Sequence, residues 1–106
     1  MTAVEGVFGA LADPTRLRLL DLIAQHGTAT ATATMLADGL PISRQGIVQH
    51  LTVLADVGLV AGRREGRERL FQVRSVALSD AAAWMEERAQ RWDVRLAAIK
   101  ELAEQE

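Results

Sequence analysis

Residues 42–74 read Ile42-Ser43-Arg44-Gln45-Gly46-Ile47-Val48-Gln49-His50-Leu51-Thr52-Val53-Leu54-Ala55-Asp56-Val57-Gly58-Leu59-Val60-Ala61-Gly62-Arg63-Arg64-Glu65-Gly66-Arg67-Glu68-Arg69-Leu70-Phe71-Gln72-Val73-Arg74. Ser43 has the chemistry of an N-cap, and the apolar residues after it recur at helical spacing, so a helix is expected over about residues 43–56. At about 100° per residue, Ile47, Leu51 and Leu54 share one face. Arg44, Gln45, Val48 and Thr52 share another, with Gln49 at its edge. Gly46 costs about 1 kcal/mol relative to Ala inside a helix and leaves room for another backbone to approach. Gly58 is a candidate C-cap. Residues 59–64 and 67–74 read as two strands joined at Glu65-Gly66, an Arg-studded hairpin.

Charge is distributed unevenly around this stretch. The 106 residues carry a formal net charge of −2, which alone argues against a polyanionic partner. Residues 42–74, however, hold six Arg (44, 63, 64, 67, 69, 74) against three acids (56, 65, 68). The segments on either side are acidic, with four acids and two Arg in residues 1–41, and seven acids and four bases in residues 75–106. A local basic footprint matters more than the total for binding nucleic acid.

Upstream, residues 4–11 form a short apolar segment expected to be helical. Asp13-Pro14 is a strong helix start, with Asp as N-cap and Pro at the first helical position. The helix that follows carries Leu17, Leu20, Ile23 and Ala24 at helical spacing, broadened by Leu19 and Leu22, and ends at Gly27. Ala and Thr then alternate over residues 28–34, read as a short strand leading into a third helix capped near Thr32. Met35, Leu36 and Ala37 give that helix its apolar side, and Gly39 and Pro41 terminate it. Two helices joined by a tight turn, with the second followed by a basic hairpin, suit a helix-turn-helix whose second helix lies in the major groove of DNA. Arg44 can pair with guanine and Gln45 with adenine, while Val48 suits contact with a thymine methyl. Ser43, Gln49, His50 and Thr52 complete the expected reading surface, Ser43 and Thr52 through phosphate contacts. Arg63, Arg64, Arg67 and Arg69 on the hairpin suit phosphate contact or minor-groove insertion. The plainer readings are a solvated helix face and an edge hairpin charged to deter aggregation, with Glu65 and Glu68 partly neutralising it.

The last helix is expected over about residues 79–104. Leu78, Ala81, Met85, Ala89, Trp92, Leu96, Ile99 and Ala103 follow one another at spacings of 3 or 4. Such a stripe on a long terminal helix calls for a partner. Trp84, Met85 and Trp92 fit either a ligand pocket or, more simply, an interface between two copies. Arg88, Arg91 and Arg95 run parallel to it as a solvated stripe, paired with Glu87 or with a partner's acids.

Other functions find little support. There is no cysteine, which removes disulfides and thiolate sites and fits a reducing cytoplasm. No cofactor is expected. His26, at a helix C-terminus, and His50, beside a core face, suit packing or a phosphate better than a metal. Without Cys, Tyr, a Gly-rich phosphate loop or a zincin His-Glu pair, an enzyme is not expected. The N-terminus lacks the positive region of a signal peptide, and no apolar run reaches the ~20 residues of a membrane span.

Several of these motifs together resemble the ArsR/SmtB family of winged-helix repressors. Leu11-Ala12-Asp13-Pro14-Thr15-Arg16-Leu17-Arg18-Leu19-Leu20 is similar to its N-terminal signature. Residues 40–54 with Gly58-Leu59-Val60 resemble its recognition helix and the start of its wing, and Arg64-Glu65-Gly66-Arg67 its wing tip. The likeness spans roughly residues 7–74, and Arg91-Trp92-Asp93-x-Arg95-Leu96 resembles a branch of the family that does not sense metals. Metal-sensing members carry Cys pairs before the recognition helix or Asp/His sets on the last one. Here the first place has Thr32-Ala33-Thr34-Met35, and the last helix has no His. The resemblance implies a homodimer built from the first and last helices, with Val4, Val7, Phe8 and Leu11 facing Met85, Ala89, Trp92, Leu96 and Ile99. It also implies repression through a pseudo-palindromic operator on double-stranded DNA.

The expected fold is thus mainly α with a small β-hairpin (α+β). It is one winged helix-turn-helix domain over residues 1–106, with a reading helix at about 43–56, a wing at about 59–74 and a dimerisation helix at about 79–104. Two other functions stay open, namely a winged-helix module that docks protein through its last helix, and a sensor with a small-molecule pocket near Trp84 and Trp92.

Overall fold

The computed structural model describes residues 3–26 and 32–105. Five helices and one hairpin follow in the order α1 (Ala3–Leu11), α2 (Pro14–Gln25), α3 (Ala33–Ala37), α4 (Arg44–Asp56), β1 (Val60–Glu65), β2 (Glu68–Val73) and α5 (Ser75–Glu104). The fold is mainly helical with a two-stranded antiparallel sheet, as the sequence pattern predicts. The expected strand before α3 and the Gly27 helix stop lie outside the described residues.

Side-chain caps set three helix starts. The Asp13 carboxylate accepts the N–H groups of Thr15 at 2.8 Å and Arg16 at 3.2 Å. Thr32 Oγ1 accepts from Met35 N at 3.2 Å, and Ser43 Oγ from Gly46 N at 3.0 Å. These bonds satisfy donors that no helical carbonyl can reach. At the other end of α4, Gly58 takes φ +81°. Its N–H bonds Ala55 O at 3.0 Å while Leu59 N bonds Leu54 O at 2.9 Å. This is the Schellman pattern, and it turns the chain straight into β1.

One hydrophobic cluster draws residues from α1 through α5. Its fully buried large side chains are Leu19, Ile23, Leu36, Ile47, Leu51, Leu54 and Leu59. Three of these seven belong to α4, and each contributes about 1.5–3 kcal/mol by leaving water. The inner face of α4 is therefore firmly seated, so its outer face is displayed in a fixed orientation.

Two helix faces differ from the sequence expectation. On α2, Leu17 is 47% exposed and Ala24 is also exposed, while Leu19 joins Leu20 and Ile23 inside. Leucines at 17, 19, 20 and 22 cover most of the circumference, so periodicity alone leaves the rotation open. The half-buried Arg16 decides it, because its guanidinium is held under α1 (below). On α3, Met35 is exposed and Ala33 is buried instead, since the short helix packs on α4 through Ala33 and Leu36.

The last helix begins four residues earlier than expected. Arg74 N bonds Leu59 O at 2.9 Å, and the helix starts at Ser75 directly off β2. Ser79 and Asp80, where the start was expected, lie inside it. Packing of Ala77 and Ala81 on the core holds the earlier turn in the helix. Thirty helical residues span about 45 Å, and the molecule is accordingly elongated, 70 × 25 × 24 Å. Among the described residues no helix is long and apolar enough to cross a membrane.

Candidate nucleic-acid interface

The outer face of α4 carries Arg44, Gln45, Val48, Gln49 and Thr52, all exposed, with Ser43 at its start. Ile47, Leu51 and Leu54 point the opposite way into the core. The helical period separates the two sets, as the spacing predicts. Gly46 does not admit a second backbone. A Cβ there would lie 2.7 Å from Ile42 Cγ2 and 3.4 Å from Ser43 Oγ. The missing side chain makes room for the turn that precedes the helix.

Two members of the expected reading set have other engagements. Thr52 Oγ1 donates to Val48 O at 2.9 Å, so its proton is spent within the helix. His50 is half-buried on the flank that faces α2, with Nδ1 3.5 Å from Arg16 Nη1. It sits beside the core and away from the outer face.

Arg16 is a residue that the sequence pattern did not single out. Its Nε donates to Ala10 O at 2.6 Å and its Nη2 to Gly9 O at 3.4 Å, capping the end of α1. Nη1 lies 3.8 Å from the Asp13 carboxylate. Through these contacts α1, the start of α2 and the reading helix meet at one guanidinium. Burial pushes the Asp13 carboxyl up, but the N–H bonds from Arg16 and Thr15 and the neighbouring Arg16 and His50 side chains outweigh it and hold the pKa below the usual 3.8. The available signal was an Arg three residues after a capping Asp, at a core-facing position of an otherwise leucine-rich helix.

The hairpin has two unlike faces. Its register pairs Val60 with Val73, Gly62 with Phe71 and Arg64 with Arg69 on one side, and Ala61 with Gln72, Arg63 with Leu70 and Glu65 with Glu68 on the other. Cross-strand partners share a face. The side that buries Val60 and Phe71 against the helices therefore continues outward as Arg64 and Arg69, with Arg69 stacked 5.3 Å from the Phe71 ring centroid. Both acids lie on the other side, where Glu65 holds Arg63 at 2.8 Å. Period-two alternation thus confines neutralisation to Arg63. The two-residue turn is Gly66-Arg67, one residue later than expected. Only Gly66 has positive φ, +65°, the pattern of a II′ hairpin turn, which places Gly at the first central position.

On α5 only Ala81 is buried. Met85, Ala89, Trp92, Leu96 and Ile99 are exposed, Trp92 at 59% and Ile99 at 62%. Val4, Phe8 and Leu11 of α1 are partly buried, but Val7 is only 3% exposed and belongs to the protomer's own core. Trp84 packs edge-on against Phe8 (centroids 5.4 Å, 68°) beneath Arg88, and Trp92 lines an open groove with Arg91 and Arg95. Arg88 also pairs with Glu87 at 3.2 Å. A separate apolar cleft of about 380 Å³ lies between α1, the Gly58 turn and the start of α5. Among the described residues no three of His, Asp or Glu come together as metal ligands.

The comparisons agree with this arrangement. The profile of the family described as "Helix-turn-helix domain" matches residues 11–63. The transcriptional repressor SdpR of Bacillus subtilis is 30% identical over 82 residues, covering 77% of this chain and 88% of that protein. An ArsR-like transcriptional regulator from Rhodococcus sp. RHA1 superposes with a TM-score of 0.88 at 39% identity, covering 99% of this chain and 94% of that one. A homodimeric winged helix-turn-helix DNA-binding domain from Mycobacterium bovis, described as a possible ArsR-family regulator, superposes with a TM-score of 0.62 at 29% identity, over 89% and 82% of the two chains. The motifs, the architecture and these relatives converge, and the chain belongs to the ArsR-like family of helix-turn-helix transcriptional regulators.

Proposed function

We propose that residues 1–106 work as one unit, a homodimeric cytoplasmic repressor that binds a pseudo-palindromic operator. The observation that carries this reading is the outer face of α4, five exposed side chains on the best-anchored helix of the fold, beside a hairpin whose Arg64 and Arg69 face is free of acids. Arg44 and Gln45 would read base edges in the major groove with Val48 and Gln49. Arg64, Arg67 and Arg69 would lie along the backbone or in the minor groove. The family's role as transcriptional regulators is non-enzymatic.

Pairing of two copies rests on α5. A 30-residue helix with a single buried residue takes little stability from its own protomer, and most helical stability comes from packing an apolar face. Met85, Ala89, Trp92, Leu96 and Ile99 supply that face, with Val4, Phe8 and Leu11 beside it. A two-fold dimer would set its two reading helices about 34 Å apart, one turn of DNA. We assign the chain to the branch that does not sense metals, because it has no Cys and its two His stand apart in sequence, His26 just past the end of α2 and His50 on α4.

The test is equilibrium binding to DNA upstream of the protein's own gene. Arg44→Ala should cost roughly 1–3 kcal/mol if Arg44 is bidentate to a base. Arg67→Ala should weaken binding to all sequences alike and flatten the salt dependence. Retention of full affinity by both variants would overturn the assignment.

A further inference from the structure

The reading face of α4 is flanked by long polar side chains but is apolar along its middle. Val48 is 39% exposed there. Thr52 stands one turn further on, and residues at i and i+4 are surface neighbours about 5–6 Å apart. The Thr52 hydroxyl gives its proton to Val48 O at 2.9 Å. A phosphate oxygen can only accept, so this hydroxyl has no proton left for one while the bond persists. What Thr52 adds beside Val48 is its methyl group.

The geometry points to Val48 and Thr52 as specificity-determining residues that together form an apolar strip selecting thymine in each half-site through its 5-methyl group. This deepens the major-groove placement of α4 and rests on it. Arg44 and Gln45, nearer the helix start, have the hydrogen-bonding chemistry for purines. The strip would act further along the groove, where only a methyl-bearing base edge gives apolar contact. Two γ-methyls of Val48 and one of Thr52 are enough to cover a single base methyl. Exclusion of one such group from water is worth about fourfold in affinity.

The experiment uses the full chain and the tightest duplex recovered from random-sequence DNA, with each thymine replaced in turn by deoxyuridine. At one or two positions per half-site, loss of the methyl should weaken binding about fourfold per half-site. Val48→Ala should shrink that penalty to near onefold. Thr52→Ser keeps the hydroxyl and removes the methyl, so it should reduce the penalty, whereas Thr52→Val keeps a methyl and should preserve it. Both positions are exposed on α4, and melting curves matching the wild type confirm that the three variants fold. The strip is refuted if no deoxyuridine weakens binding while Arg44→Ala still does, or if Thr52→Ser keeps the penalty and Thr52→Val loses it. If no sequence is selected at all, or Arg44→Ala binds as wild type, the placement of α4 itself fails and the strip falls with it.

Discussion

The two faces of the hairpin make a prediction that separates arginines only one residue apart. Arg63 lies on the face of Glu65 and Glu68 and is held by Glu65 at 2.8 Å, while Arg64 lies on the acid-free face with Arg69. Each phosphate neutralised by a basic side chain adds about 0.9 to the slope of log K against log salt. A dimer loses two such contacts when one arginine is removed from each protomer. Arg64→Ala should therefore flatten the slope by about 1.8, so that affinity falls about tenfold less than for the wild type between 50 and 200 mM salt. Arg63→Ala should leave the slope nearly unchanged, because Glu65 already cancels its charge. Glu65→Ala should steepen the slope by freeing Arg63. The Arg63–Glu65 pair is itself exposed, 59% and 63% at the two side chains, so its loss should cost at most about 1 kcal/mol of stability. All four proteins therefore remain folded for comparison. Equilibrium anisotropy with one fluorescent operator, titrated with KCl, reads the slopes. Equal flattening by Arg63→Ala and Arg64→Ala would refute the division of the hairpin into a binding face and a neutralised face.

Three further outcomes follow from the geometry. Gly46→Ala should destabilise by about 1 kcal/mol in thermal melts despite the helix propensity of Ala, because the new Cβ meets the stiff β-branched Ile42 at 2.7 Å; a raised Tm would contradict this. Leu96→Asp, on the exposed face of α5, should yield a monomer in sedimentation velocity at micromolar concentration without lowering the protomer's helix content, and a persistent dimer would exclude that face. Asp13 has a lowered pKa in the folded chain, so it contributes stability above its unfolded value of 3.8 that is lost as pH falls through the lower folded value. The stability difference between wild type and Asp13→Asn should accordingly be largest near neutrality and shrink below about pH 4, and a difference constant down to pH 2 would show that the cap does not act through its charge.

Much of the architecture was legible because it depends on strong local signals. Asp13-Pro14, Thr32 and Ser43 cap the helices they were expected to cap, and Gly58 stops α4. The division of α4 into a core face and a polar face needed only the helical period. What was not legible depends on tertiary contacts. The rotation of α2 was ambiguous among four leucines until Arg16 found the carbonyls of Gly9 and Ala10. The early start of α5, at Ser75 and not near Ser79, follows from Ala77 and Ala81 packing on the core. His50 could be assigned to the reading surface or to the core edge by sequence, and its neighbour Arg16, thirty-four residues away, decides for the edge. The hairpin charges showed only as a mixture in sequence. The register is what sorts them by side.

Leu59 joins three functions through two backbone bonds. Its N–H closes the end of α4 on Leu54 O, and its carbonyl receives Arg74 N at the start of α5. Reading helix, hairpin base and long helix are thus tied together at a single residue. In a dimer assembled along α5, operator spacing would then be a property of how two long helices cross, and base preference a property of the α4 surface. Substitutions in one could be tried without disturbing the other, so a regulator of this build could acquire new target sequences while keeping its half-site separation.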